Sequence, residues 1–338
     1  MVVRPQGRLQ PWVSLTGRLG GNHPADGTQE RDSARAASLV VHAPAKLNLS
    51  LRVLGRRPDG FHELETVMVS VGLFDSLHVT AADSDEVRLT CCCAGLARRT
   101  QSALGRELTS GADNLVVRAA ELLRQRTGCQ RGATITLIKR IPLQAGLGGG
   151  SSDAAAALVA LNQIWDLGLS TPELHTLAAA LGSDVNFFLD SPTAAICRGR
   201  GELVEPIRLH RRLHAVVVCP NSGLSTADVF REWSRSSAGP DQRRRSLSCV
   251  LDALPRGRQF AHDSPWIGND LEIPARRLNP DVAETLVLLH TVSSGPVGMS
   301  GSGTSCFTLC PSATRARRLA CRLRTNLGSH VFPVSSRA

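Results

Sequence analysis

The chain has 338 residues, 42% of them hydrophobic, and a formal charge of +10. That length holds two ordinary domains with a sizeable core, and no run approaches the roughly 18 apolar residues of a membrane span. The positive balance suits nucleic acid, an anionic membrane surface or anionic small substrates, but aromatics are only 4% and Tyr is absent, which counts against a base-stacking platform.

The first 37 residues carry Arg, Gly, Pro and Ser without apolar periodicity, which predicts a disordered extension. No apolar segment follows the first Arg, so they are not a secretory signal. The Arg and Ser content leaves an organelle transit peptide as the alternative. There are ten cysteines and no C-x-x-C pair. Zinc is therefore not expected, and all ten are read as reduced thiols of a cytosolic protein.

Strand patterning starts at Ser38. Leu39 to Ala43 leads into Pro44-Ala45-Lys46-Leu47-Asn48-Leu49-Ser50-Leu51-Arg52-Val53. Period two puts Leu47, Leu49, Leu51 and Val53 on one sheet face and Lys46, Asn48, Ser50 and Arg52 on the other. By pattern alone the polar row faces water. Arg57-Pro58-Asp59-Gly60 is a turn, followed by Phe61-His62-Glu63-Leu64 and a β-like run to Val79. Glu86 to Cys92 is another strand. Asp113 is the expected cap of a helix from Asn114 to about Arg126. Ala133 to Ile141 is the next strand.

That strand runs into Pro142-Leu143-Gln144-Ala145-Gly146-Leu147-Gly148-Gly149-Gly150-Ser151-Ser152-Asp153, and an Ala-rich helix follows. Glycines let backbone approach a ligand closely. A helix start offers amides without intrahelical partners, where a phosphate can sit. Ser151, Ser152 and Asp153 are good helix-start residues, and the two hydroxyls can donate to phosphate oxygens. The alternative is a glycine turn that merely starts a buried helix. No G-K-[ST] ends the loop, so it is not a Walker A motif.

Ser170 and Glu173 form a capping box for a helix whose inward stripe is Leu174, Leu177, Ala178 and Leu181. In Ser183-Asp184-Val185-Asn186-Phe187-Phe188-Leu189 a single acid precedes an apolar run. By position alone Asp184 reads as a turn or cap residue, with catalysis as the alternative. A domain boundary is expected near residues 203–212. His214 to Cys219 starts the second domain, and Thr226 caps a short helix through Trp233. Residues 234–263, rich in Arg, Ser and Pro, read as a flexible excursion. Asp281 is the expected cap of a helix to about His290. A second glycine loop, Gly298 to Thr304, precedes strand Ser305–Cys310, helix Thr314–Arg324 and strand His330–Val334.

Three pieces in this order resemble the GHMP kinase superfamily: Pro44-Ala45-Lys46-Leu47-Asn48, the Pro142–Ala155 loop, and Gly298-Met299-Ser300-Gly301-Ser302-Gly303-Thr304. Asp59-Gly60-Phe61-His62-Glu63-Leu64 and Leu181-Gly182-Ser183-Asp184-Val185 carry the likeness further, toward its members that act on a cytidyl-diphosphate methylerythritol in the non-mevalonate isoprenoid route. The resemblance implies a two-domain α+β fold. Residues 38–205 would be a ribosomal protein S5 domain 2-like N-terminal domain, and 213–336 a ferredoxin-like C-terminal domain, with the active site in the cleft between them. It implies Lys46 and Asp184 as catalytic residues, and Asn48 and His62 as residues of the alcohol pocket. The stretch Pro142, Leu143, Gln144, Ala145, Gly146, Leu147, Gly148, Gly149, Gly150, Ser151 and Ser152 would be the ATP loop. The family often has Tyr where Phe61 stands. A phenyl ring can still stack on a base, without the hydroxyl.

The expected activity is therefore ATP-dependent phosphorylation of a small alcohol. Mg²⁺ would be held largely by ATP, with no dedicated metal-binding carboxylate. Asp184 would be the base and Lys46 the charge stabiliser. A bacterial cytoplasmic enzyme is expected, monomer or homodimer, without nucleic-acid or membrane partners; a plastid is the minor alternative. A mevalonate- or homoserine-type kinase is the runner-up. A basic RNA-binding protein is the reading from another class, and it would leave the Ser-Ser-Asp loop without a purpose.

Overall fold

The computed structural model describes residues 13–15, 37–94, 110–235, 267–327 and 330–337. In chain order its first half contains β1 (Val13–Leu15), β2 (Ser38–Arg56), β3 (His62–Ala82), β4 (Val87–Cys93), α1 (Leu115–Thr127), β5 (Gly132–Lys139), α2 (Gly149–Ile164), α3 (Thr171–Leu181), α4 (Val185–Asp190), β6 (Ala194–Gly199) and β7 (Leu203–Ile207). The second half contains β8 (His214–Val218), α5 (Thr226–Arg235), β9 (Gly268–Asn269), α6 (Glu272–Leu278), α7 (Pro280–Val292), β10 (Val297–Met299), β11 (Cys306–Cys310), α8 (Ala313–Leu327) and β12 (Val331–Ser335).

Two sheets organise these elements. The first runs β1-β2-β3-β5-β4, with β6 on β3, β7 on β6 and β9 on β2. Its long β2–β3 hairpin is bulged between Pro44 and Ala45 and again between Asn48 and Ser50. β3 pairs with β5 through Ser76–Ala82 and with β6 through Leu64–Val69, so one strand serves two halves of the sheet. The second sheet, β10-β11-β8-β12, is antiparallel throughout. Counted along its own chain, that order is the ferredoxin-like one expected from the sequence.

Three apolar layers hold the molecule together. Leu77, Val79, Ile135 and Leu137 of the first sheet pack on α1, α2 and α4 through Leu123, Leu158 and Phe187. The Ala154–Ala157 run of α2 is buried on every side. A helix apolar all round belongs in a core, and small side chains let the loop at its head stay close to β2. Leu47, Leu49, Val67 and Val69 meet Ala215, Val217, Phe307 and Leu309, which joins the two sheets. Val216, Val218 and Cys306 pack under α7 and α8 through Leu286, Leu289 and Leu319.

Four sequence expectations need correction. The N-terminal extension was expected to be disordered, but Val13–Leu15 pairs antiparallel with Leu39–Val41. The free edge of β2 offers unpaired amides and carbonyls that such a segment satisfies. The remainder of 1–36, and residues 236–266 of the Arg-rich excursion, lie outside the described residues. Helix α1 is capped by Asn114, not Asp113: its side chain accepts from the Val116 amide at 2.9 Å. Helix α7 is capped by Asn279, two residues before Asp281, whose amide it binds at 3.0 Å. In both cases the side chain that caps belongs to the residue whose backbone is extended. Finally, the polar row of β2 is broken by the bulge after Asn48, which leaves Lys46 and Asn48 on one face with Leu51, and that face is not solvated: Lys46 is 3% exposed and Asn48 2%.

Candidate active site

The loop after β5 turns through left-handed backbone at Gln144, Gly146 and Gly148. Two of these positions require glycine for space as well as for φ. A Cβ on Gly146 would lie 2.2 Å from the Ser300 carbonyl oxygen, and one on Gly148 would lie 2.8 Å from the Phe188 ring. Gly148 is the N-cap of α2, with no side chain to satisfy the first amides, and Gly149 is already helical. Ser151 and Ser152 therefore stand inside the start of the helix, and Asp153 just past its first turn, rather than capping it. The amides at the helix head have no intrahelical partner and no capping side chain, the arrangement that receives an anion.

Lys46 reaches this loop from β2. Its backbone amide donates to the Leu147 carbonyl at 3.0 Å, and its side chain passes beside Gly148. The ammonium donates to Asn48 Oδ1 and lies 3.6 Å from Asp184 Oδ2. Asp184 is at the N-cap position of α4 yet makes no capping bond. Its carboxylate, 27% exposed, is turned to Lys46. Asn48 uses the other end of its amide on Thr66, at 2.8 Å. It thus fixes the lysine from behind.

The second glycine loop closes the same site. Ser300 donates to the Gly146 carbonyl at 3.0 Å and accepts from the Asn48 amide at 3.2 Å. The Ser305 amide donates to the Ala145 carbonyl at 3.1 Å. A Cβ on Gly301 would come within 3.2 Å of the Lys46 ammonium. The two loops and the lysine border a cleft of ≈ 1110 Å³, which includes Asn48, Pro142 to Ser151 and Asp184. Ser152 is not on it: it turns inward, 1% exposed, and its hydroxyl has no partner.

A second ionic cluster, not anticipated from sequence, lies behind the loop. Lys139 is held by Asp75 and by Asp153, the latter at 2.6 Å, and all three are buried. Asp75 also accepts from the backbone amides of Arg140 and Ile141. Burial alone would push the Lys139 ammonium to lose its proton, but the two carboxylates outweigh it and raise its affinity for the proton. Burial pushes the Asp153 carboxyl up; Lys139 pulls it back and Asp75 adds to the rise. One carboxylate oxygen, Asp153 Oδ1, is buried without a partner. Such an atom costs about 1–3 kcal/mol. The only sequence signals were a lysine at a strand end and an acid just past a helix's first turn.

Phe61 and His62 stand farther out, on an extension of about 600 Å³ bounded also by Arg56, Arg200, Phe230 and Ser234. The Arg200 guanidinium lies 4.7 Å over the half-exposed Phe61 ring. His62 stacks on Phe230 at 4.6 Å and meets Trp233 edge-on at 5.6 Å. Burial, then Arg56, holds the imidazole below its ordinary pKa. Phe230 and Trp233 escaped the sequence reading. Their signal was two aromatics three residues apart in a chain where aromatics are 4%.

Comparison with known proteins decides the family. The profile for the GHMP kinases N terminal domain matches residues 114–195, and that for the GHMP kinases C terminal region matches 251–329. The 4-diphosphocytidyl-2-C-methyl-D-erythritol kinase of Pelotomaculum thermopropionicum is 42% identical over 85% of this chain and 94% of its own. The same kinase of Synechocystis is 38% identical, over 83% and 90%. The chain belongs to the 4-diphosphocytidyl-2-C-methyl-D-erythritol kinase family of GHMP kinases. A crystal structure of a 4-(cytidine 5'-diphospho)-2C-methyl-D-erythritol kinase superposes with a TM-score of 0.70 at 36% identity, covering 88% of this chain and all of that one. Homoserine kinase from Cytophaga hutchinsonii, with a TM-score of 0.63 at 20% identity over 92% and 98%, shares the fold.

Family membership makes the chain an ATP-dependent small-molecule kinase with the two-domain GHMP fold. No disulfide joins the described cysteines. Among the described residues no helix is long and apolar enough to cross a membrane, and no cluster of three or more His, Cys, Asp or Glu side chains could hold a metal ion.

Proposed function

We propose that the chain transfers the γ-phosphoryl group of ATP to a hydroxyl of 4-diphosphocytidyl-2-C-methyl-D-erythritol, in the non-mevalonate route to isoprenoid precursors. The observation that carries this reading is the Lys46–Asp184 pair, 3.6 Å apart, beside the glycine-headed α2. Phosphoryl transfer needs positioning and charge stabilisation more than covalent help. The loop 142–151 would cradle the ATP phosphates with backbone amides. Asp184, partly open to the cleft, would accept the proton of the attacking hydroxyl. Lys46, beside that carboxylate, would meet the charge developing on the transferred group. Asn48 would orient the lysine rather than touch the alcohol directly.

The aromatic extension supports the cytidyl end of the substrate. Phe61, His62 and Phe230 offer ring faces for a base. His62, its imidazole held below the ordinary pKa, bonds Ser234 Oγ through Nε2 at 3.3 Å and offers Nδ1 for a further hydrogen bond. Mg²⁺ bound with ATP would screen the repulsion between its phosphates and the incoming oxygen. The Ser151 hydroxyl and the unpartnered Asp153 oxygen are hard donors of the kind it takes. The names of the bacterial relatives support a cytoplasmic bacterial enzyme.

The experiment is a substrate panel. Purified protein with ATP and Mg²⁺ should phosphorylate the cytidyl methylerythritol, the product read by mass. Mevalonate and homoserine should be poor acceptors. Faster turnover of either would replace the assignment with another member of the superfamily.

A further inference from the structure

Asp153 stands four residues after Gly149 in α2, so the two share a helix face. A Cβ on Gly149 would lie 3.2 Å from Lys139 Nζ. Asp153 therefore sits directly behind the bare amides of the loop, and it borders the same cleft. Its Oδ2 accepts from Lys139 at 2.6 Å, while Oδ1 is buried with nothing to bind. As a carboxylate, Oδ1 lacks a donor.

Charge points the same way. One ammonium against two carboxylates leaves the ionised Lys139–Asp75–Asp153 cluster with one negative charge in a buried place. Two other carboxylates border the cleft, but Asp113 is exposed at its rim and Asp184 is paired with Lys46. Neither strands a buried oxygen. We propose that Asp153 Oδ1 is the protein's ligand for the divalent cation that accompanies the nucleotide phosphates, assisted by the Ser151 hydroxyl. One carboxylate plus phosphate oxygens and water is the coordination Mg²⁺ ordinarily accepts. This rests on the loop being the ATP site.

The test uses the full chain with ADP and with Mn²⁺ as the probe, bound metal being read by electron paramagnetic resonance. In the wild type, Mn²⁺ should tighten ADP binding. Asp153→Asn should lose at least about tenfold of that gain while binding metal-free ADP as before. Asp113→Asn should keep the whole gain. Failure of metal-free ADP to bind the wild type would strike the loop assignment, not this one. Because Asp153→Asn leaves Lys139 short of a partner, two arms do not depend on its folding. In Asp153→Cys, the gain should return with Cd²⁺, which thiolate prefers, and not with Mn²⁺. In wild-type protein labelled with ¹³C at aspartate carboxyl carbons, the bound Mn²⁺ should show a carboxylate hyperfine coupling. An undiminished Mn²⁺ gain in Asp153→Asn, or no such coupling in the wild type, would overturn the proposal and leave only a water at Oδ1.

Discussion

Two lysine–aspartate arrangements flank one loop, and they differ in almost every physical respect. Lys139 is clamped by two buried carboxylates, one of which also anchors the backbone amides that lead into the loop. Lys46 meets Asp184 at 3.6 Å, longer than a good charged hydrogen bond, and Asp184 is 27% exposed. Tight and buried is what a framework needs. Loose, open to a cleft and oriented by a third residue is what a reacting pair needs. On the proposed reading identical residue types serve opposite ends, and burial with bond length separates them where residue identity does not.

Four substitutions or titrations would break or sharpen that contrast. The largest effect is expected for Lys139→Met. It strands Asp75 and Asp153, and should cost about 3–5 kcal/mol of unfolding free energy in a urea titration. A loss below about 1 kcal/mol would deny the cluster its framework role. Lys46→Met should do the reverse: a nearly unchanged urea midpoint, since a partly open pair adds little stability, with kcat lower by about 10²–10³. Equal losses in stability from both variants would erase the distinction.

The loop itself offers a finer test. Gly150 has an ordinary φ, and a Cβ there meets only Leu115 at 3.6 Å. Gly150→Ala should leave the fold as stable or improve it by up to about 1 kcal/mol. Yet it should weaken ADP binding about tenfold, the worth of one charge-assisted hydrogen bond. Unaltered affinity in calorimetry would make the bare backbone a matter of folding alone.

The smallest effect concerns His62. Its folded pKa is depressed by burial and Arg56, so the folded chain binds fewer protons there than the unfolded chain. The resulting stability is present above the ordinary histidine value of about 6.5 and is lost as pH falls through the depressed one. The NMR titration midpoint of the His62 ring should lie below about 6.5. A midpoint at or above that value would remove the neutral-imidazole argument for the base pocket.

Local rules carried much of the fold into view. The strand–glycine–helix order, the Ser170–Glu173 box and the apolar stripe of α3 all reflect contacts within a few residues. The box is present as read. Where two neighbouring Asx-type residues competed, as at Asp113 and Asn114, the backbone conformation chose, and composition does not reveal it. Alternation in β2 separated the two faces only as far as Asn48, because the bulge that follows turns Leu51 and Val53 to the side of Lys46 and Asn48; it also misjudged the polar face, because a face lining a cleft and a face in water share one pattern. The Lys139 cluster joins residues 64 and 14 positions apart, a pairing only the β3–β5 register and the turn into α2 create. Phe230 reaches His62 across 168 residues of chain (230 − 62) through the second sheet's helix layer.

The proposed function stands or falls with Asp184, beside Lys46 at the head of α2, taking the proton of the attacking alcohol. Rapid-quench measurement of a single turnover with ATP and the cytidyl methylerythritol tests it most directly in Asp184→Asn. The transfer step should slow by at least about 100-fold, with ADP affinity as in the wild type. A transfer rate close to that of the wild type would contradict the account.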